Sequence, residues 1–163
     1  MSNPVAHTPV DQAKAELWHR WIGLWSGDFP VEERFAVGDS IIAPDLTCHL
    51  AHYEMPESHL INSPGAVVRW IDVWHSYFSE SKMVTAVGPF VSERYVMGRW
   101  SFRGVWKGGK PRGATAPAGS EVAIEGHDIL RLDENGLIAE YWVGDNLLDM
   151  YGQLGAIKKL VTS

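Results

Sequence analysis

The sequence predicts an α+β domain with helices packed on one face of an antiparallel sheet. Three observations carry this. Apolar residues recur at three- and four-residue steps through the first half of the chain, as far as Phe78. From Met83 onward the period becomes two, through four extended stretches. Clusters of Gly, Pro, Asn and Asp separate the last three of those stretches, Asn135-Gly136 among them. Helices first and a strand meander second is the α+β pattern.

The first helix runs from Asp11, which is suited to cap it, to about Ser26. Leu17, Trp18, Trp21, Ile22, Leu24 and Trp25 form its apolar face, and Gly27-Asp28 end it. Pro30 opens a short second helix, Val31 to Val37, stopped by Gly38. Ile41 to Tyr53 reads as two short extended pieces around Pro44, and Met55 to Ser63 as a loop. Ser63-Pro64 starts a third helix by a cap followed by Pro, with Val67, Trp70, Ile71, Trp74, Tyr77 and Phe78 on its apolar face.

Met83 to Phe90 is the first long strand. Tyr95 to Trp106 alternates, with Val96, Trp100, Phe102 and Trp106 on one face and Arg99, Ser101 and Arg103 on the other. The Gly-, Pro- and Lys-rich stretch 107–119 reads as a long, mobile hairpin loop. Val122 to Leu132 is a strand, Asp133-Glu134-Asn135-Gly136 makes a tight turn with Asn-Gly as its signal, Leu137 to Asp145 returns, and Leu147 to Leu160 forms a helical tail. Residues 1–163 read as one domain without a repeat, with 1–10 flexible.

Composition narrows the function classes. The 14 Lys and Arg against 20 Asp and Glu leave a net charge of −6 and no basic stripe for a nucleic-acid backbone. No apolar run is long enough to span a membrane, and Met1 to Val10 lacks the pattern of a signal peptide. Cys48 is the only cysteine, which fits a reducing, cytoplasmic setting. No nucleophile elbow, Walker loop or dinucleotide fingerprint is present. Eight tryptophans are the outlier: each buries a large area yet keeps one N–H to offer, which suits core packing or a pocket for a flat organic ligand.

Strand parity singles out Asp128. Val122, Ile124, Gly126, Leu130 and Leu132 share its face, and it is the only charge among them. Burial disfavours the charged carboxylate, so its pKa should rise towards the range of a general acid/base. Alternatively, it accepts hydrogen bonds from a Trp or Arg and ties the sheet to a helix. Tyr141, Val143 and Asp145 share a face of the last strand, where Asp145 is either a second carboxylate or a cap for Leu147 onward. His52 and Tyr53 are candidates for the cavity mouth, His52 also as a catalytic partner of Asp128, and Trp70, Trp74 and Trp100 for its walls. His49 and His52 lack a third ligand at diagnostic spacing, so no metal site is expected. His127 should face away from Asp128, and His75 should be a packed or exposed helix residue. Arg94 and Arg99 either meet a solvated sheet face or anchor an acidic group.

The run Gly126-His127-Asp128-Ile129-Leu130-Arg131-Leu132, then Asn135-Gly136-Leu137-Ile138-Ala139-Glu140-Tyr141-Trp142, then Gln153-Leu154-Gly155, resembles the signature of the SnoaL-like polyketide cyclases. Ala116-Pro117-Ala118-Gly119 and Arg103-Gly104 resemble two further family turns, so the likeness spans Arg99 to Ala156. The resemblance implies the nuclear-transport-factor-like cone: a curved sheet forming a half-barrel, three helices closing its cavity, and a homodimer through the open sheet face. It also implies ring closure by intramolecular aldol condensation without metal or cofactor. In that family an Asp on the last strand is the acid/base and a His on the preceding strand assists. Those positions fall on Val143 and Asp128 here, so the sequence departs at both.

Three functions therefore stand open: a cofactor-free enzyme moving protons beside a carbonyl of a hydrophobic, oxygenated molecule; a binding module using the same cavity; or an epoxide-type hydrolase built on Asp128, Arg99 and Asp145.

Overall fold

The structure is a computed structural model that describes residues 9–50 and 58–157. Helix α1 (Pro9–Ser26) buries all six apolar positions read from its periodicity. Asp11 lies inside its first turn rather than at the cap. The helix ends where Asp28 N–H donates to the Gly23 carbonyl at 2.9 Å and Gly27 turns left-handed (φ 76°).

Helix α2 runs Val31–Ile41, past the expected stop at Gly38. A Cβ at Gly38 would lie 2.8 Å from the Val68 side chain, so this glycine is a packing residue rather than a terminator. It lets α2 sit close against α3 (Pro64–Ser76), and that burial outweighs glycine's helix penalty. Helix α3 starts as expected, with the Ser63 hydroxyl accepting from Ala66 N–H. It buries Val67, Val68 and Ile71.

Five strands form one open, curved sheet: β1 (Ile42–Leu50), β2 (Phe78–Val91), β3 (Tyr95–Trp106), β4 (Glu121–Leu132) and β5 (Ile138–Asp145), in the order β1-β5-β4-β3-β2. Strands β2 to β5 form the expected antiparallel meander. The sheet is nevertheless mixed, because β1 pairs parallel with β5. Nothing local in β1 encodes that pairing; it follows from where α3 and the meander deliver β5. The two pieces expected around Pro44 are one strand whose register shifts between Ile42 and Thr47. At a sheet edge, the N–H that Pro lacks can be spared.

Strand β2 begins five residues earlier than its periodicity indicated. Phe78 fits the apolar face of α3 equally well, but it pairs with Trp106 in the sheet. The tight turn expected at Asp133-Glu134-Asn135-Gly136 forms, with Gly136 N–H donating to the Asp133 carbonyl at 3.1 Å. The Asp133 carboxylate accepts from the Asn135 and Leu137 N–H groups, both at 2.9 Å, and only Gly136 takes a positive φ (80°).

Helix α4 is short, Leu147–Gln153; the rest of the tail expected to Leu160 lies partly outside the described residues. The stretch 107–119 connects β3 to β4 and is held in place. Thr115 and Ala116 N–H groups donate to the Leu154 carbonyl at 2.9 and 3.0 Å, and Trp106 Nε1–H donates to the Lys110 carbonyl at 2.6 Å. Alternation places Val96, Trp100, Phe102 and Trp106 of β3, with Val122, Ile124, Leu130 and Leu132 of β4, in the core beneath α1 and α3.

Candidate active site

Asp128 sits on the inner face of β4 and is 2% exposed. Its Oδ2 accepts from Trp21 Nε1–H of α1 at 2.8 Å. Its Oδ1 accepts from Trp100 Nε1–H of β3 at 3.0 Å and from the Tyr141 hydroxyl of β5 at 3.1 Å. One carboxylate thus ties a helix to three strands.

Local sequence explains how Trp100 reaches it. Trp100 pairs across the sheet with Gly126, two residues before Asp128. A Cβ at Gly126 would collide with the Trp100 ring. The indole therefore lies across the glycine, its N–H turned along the sheet to Asp128. Gly98 does the same for α1: its missing Cβ leaves room for the Trp18 indole.

Burial pushes the Asp128 carboxyl up to about 6, against the three hydrogen bonds that favour its charged form; the charge of Asp145 adds a smaller upward push. The same burial, with Asp128 beside it, holds the Tyr141 pKa well above its usual value, so Tyr141 keeps its proton and donates it. Cys48, also buried and near Asp128, is pushed up to about 12 and carries no thiolate.

Asp128 opens onto a cavity of about 580 Å³ between the sheet and the helices. Five of the eight tryptophans line it: Trp25, Trp70, Trp74, Trp100 and Trp106. Trp25 and Trp70 meet edge to face, centroids 4.8 Å apart. Trp18 and Trp21 are core residues that anchor α1, and Trp142 stacks on His49 on the opposite sheet face. Among the described residues, the buried indole N–H groups of Trp25 and Trp74 have no hydrogen-bond partner.

Most sequence candidates converge here. Asp128, Asp145, Trp70, Trp74, Trp100, Tyr141 and Val143 all line the cavity. Asp145 also accepts the Leu147 N–H at 3.1 Å, but it ends β5, and the N-cap of α4 is Asn146 rather than Asp145. His52 and Tyr53 lie outside the described residues. His49 and His127 lie on the outer face, His49 bonded to Glu140 at 2.8 Å and His127 against Gly144. His75 bridges α1 and β2, its Nε2–H donating to the Leu24 carbonyl and its Nδ1 accepting from the Ser81 hydroxyl, both 3.1 Å. Burial lowers its pKa and keeps it neutral for both bonds. Arg99 pairs with Glu125 on the outer face, so the Asp128–Arg99–Asp145 set of an epoxide-type hydrolase is not assembled. Among the described residues no cluster of His, Cys, Asp and Glu could hold a metal ion, and no helix is long and apolar enough to cross a membrane.

Trp21 as a partner of Asp128, and Lys110, Arg112 and Tyr151 as cavity residues, were not read from the sequence. Periodicity put Trp21 on a buried face but could not say what lay opposite it.

No protein-family model matches the chain, and no curated protein matches it. Solved structures do. A SnoaL-like polyketide cyclase named from Jannaschia sp. CCS1 superposes with a TM-score of 0.74 at 14% identity, covering 94% of this chain and 99% of that one. TsrD from Streptomyces laurentii gives 0.69 at 20% identity, covering 90% and 98%. A polyketide cyclase named from Acidithiobacillus ferrooxidans gives 0.68 at 18% identity, covering 90% and 97%.

The chain has the SnoaL-like fold. The stretch whose residues resembled the SnoaL-like signature is the one that builds the site. Its Gly126 seats Trp100, its Asp128 receives three donors, and its Tyr141 supplies one of them. The positions expected to hold the SnoaL-like His and Asp, here Asp128 and Val143, are direct cross-strand neighbours on the cavity wall.

Proposed function

We propose that this protein is a cofactor-free enzyme that moves a proton beside a carbonyl of a hydrophobic, oxygenated small molecule, in a cyclisation, isomerisation or dehydration. One observation carries the reading: a single buried carboxylate, pushed up to about 6, at the wall of an aromatic cavity. A base of that strength is ionised at neutral pH yet holds a proton more firmly than an ordinary carboxylate. Three neutral donors occupy three of its roughly four acceptor positions, which leaves one for a substrate proton. The carboxylate takes the proton from the carbon beside the carbonyl, and the electron pair of that C–H bond forms the enolate. In a cyclisation, the enolate carbon bonds to a second carbonyl, whose oxygen recovers the proton from Asp128. The carboxylate ends as it began, and no redox partner is needed. Val143, Trp70, Trp74 and Trp100 shape the cavity, with Asp145 a second polar wall residue. The structures named as cyclases that share this fold support the class of chemistry, not a substrate.

A ¹³C titration of the Asp128 carboxyl tests this without a substrate. A midpoint near 6 is expected; one near the ordinary value of about 4 would overturn the base role. With a reactive polyketide-like diketone, Asp128→Asn should lower kcat by about 10²- to 10⁴-fold. A folded Asp128→Asn protein with full turnover would leave the second reading, a binding module. That reading is favoured by the same three hydrogen bonds, which make Asp128 a junction of the fold as well.

We also read the outer sheet face as a homodimer interface. Phe90, Met97, Ile129 and Trp142 follow one another across β2, β3, β4 and β5, and Phe90 and Met97 are exposed. Sedimentation should give about twice the monomer mass, and Met97→Glu should abolish it.

A further inference from the structure

The cavity carries its charges at separate places. Asp128 and Asp145 lie on its sheet wall, while Lys110 and Arg112 reach it from the β3–β4 loop. Among the described residues, these two are the only Lys or Arg in its lining. Both are exposed, and neither has an ion pair among the described residues. Among the other described cations, Arg34, Lys82, Arg99 and Arg131 are each matched to a carboxylate, while Arg20, Arg94, Arg103 and Lys107 are not, in a chain whose net charge is −6. Lys110 and Arg112 are set apart from the other unpaired cations by their place in the lining of the aromatic cavity.

Their placement is also held. The Lys110 carbonyl receives Trp106 Nε1–H on one side, and Thr115 and Ala116 are bonded to the end of α4 on the other. Ordering entropy for this segment is spent in folding rather than on binding.

We infer that the ligand of this cavity carries an anionic oxygen group, such as a carboxylate, sulfonate or phosphate, which Lys110 and Arg112 receive while its flat body lies among the tryptophans. This rests on reading the cavity as a small-molecule site and adds its charge class and orientation. The carboxylates on the sheet wall repel such a group, so only one end-to-end orientation is favourable. That orientation puts the uncharged part of the molecule against Asp128.

Two fluorescent probes with the same body separate the terms: 1-anilinonaphthalene-8-sulfonate and the uncharged N-phenyl-1-naphthylamine. Each is titrated into the full chain and into a Lys110→Ala/Arg112→Ala double variant. The bond from Trp106 goes to the Lys110 backbone, so the variant retains it. The sulfonate should lose roughly tenfold in affinity in the variant, the neutral probe should be unchanged, and added salt should weaken only the sulfonate. Equal affinities of both proteins for the sulfonate would overturn this inference and leave the proposed function standing. Equal losses for both probes would overturn it too, since the loop would then act by shape. Binding of neither probe would overturn the cavity reading and this inference together.

Discussion

Asp128 and Glu140 are carboxylates on adjacent strands of one sheet, each tied to several partners, yet their acidities move in opposite directions. Glu140 lies on the outer face, where it accepts from Arg131 Nε–H at 2.6 Å and from His49. Those bonds hold its carboxyl below the usual range. Asp128 on the inner face accepts from three groups, all neutral. Its carboxyl is pushed up to about 6 because burial removes water and no cation replaces it. Hydrogen bonds alone do not make a carboxylate strongly acidic here; the charge of the donors and access to water decide. Among the described residues, no cation bonds to Asp128.

The comparison can be broken most forcibly by deleting each carboxylate. Asp128→Ala leaves three buried donors unmatched and should cost at least about 3 kcal/mol in urea unfolding. Glu140→Ala should cost far less, since water can reach its former partners. Equal losses would mean that the two faces are not different environments.

The pH dependence of stability should carry opposite signs. Asp128 has a raised folded pKa, so its contribution is full below its unfolded value near 3.8 and is lost as pH rises through about 6. The change is on the order of 3 kcal/mol. Glu140 has a lowered folded pKa, so its contribution is present at neutral pH and is lost as pH falls below the ordinary carboxylate range. Unfolding curves of Asp128→Asn and Glu140→Gln against wild type between pH 3 and 8 should show differences that slope in opposite directions.

Gly126→Ala sharpens the account of geometry. A methyl group there displaces Trp100 and weakens its bond to Asp128, which should cost about 1–3 kcal/mol and raise the Asp128 midpoint. An unchanged midpoint would show that Trp100 is not held by that glycine. The smallest effect belongs to Tyr141→Phe. It removes one donor but keeps the ring and its edge contact with Trp21, so a loss of about 1 kcal/mol and a slight rise in the midpoint are expected.

Residue order was informative wherever the information is local. The alternation of β3 and β4 identified the inner face, and with it Asp128 as the lone charge and the direction of its pKa. The same parity sent Arg99 outward, where it meets Glu125. The misplaced boundaries share a cause. Gly38 is a helix breaker by propensity but a packing residue by position, and Phe78 satisfies a helical and a strand pattern at once. Local preference is worth under about 1 kcal/mol per residue, less than the burial of a large side chain.

Periodicity, caps and turn chemistry depend on neighbours a few residues apart, so they can be read along the chain: the helices, the meander, and the isolation of one carboxylate among apolar residues. Long-range pairing cannot be read that way. Trp21 meets Asp128 across 107 positions, β1 finds β5 in parallel, and the 107–119 loop is sewn to α4 with Lys110 and Arg112 at the cavity. Each is settled by where packed layers bring distant segments together. Asp128 illustrates both halves: its solitude is written in the strand, while its three donors, and so its acidity, depend on a helix and two neighbouring strands arriving around it.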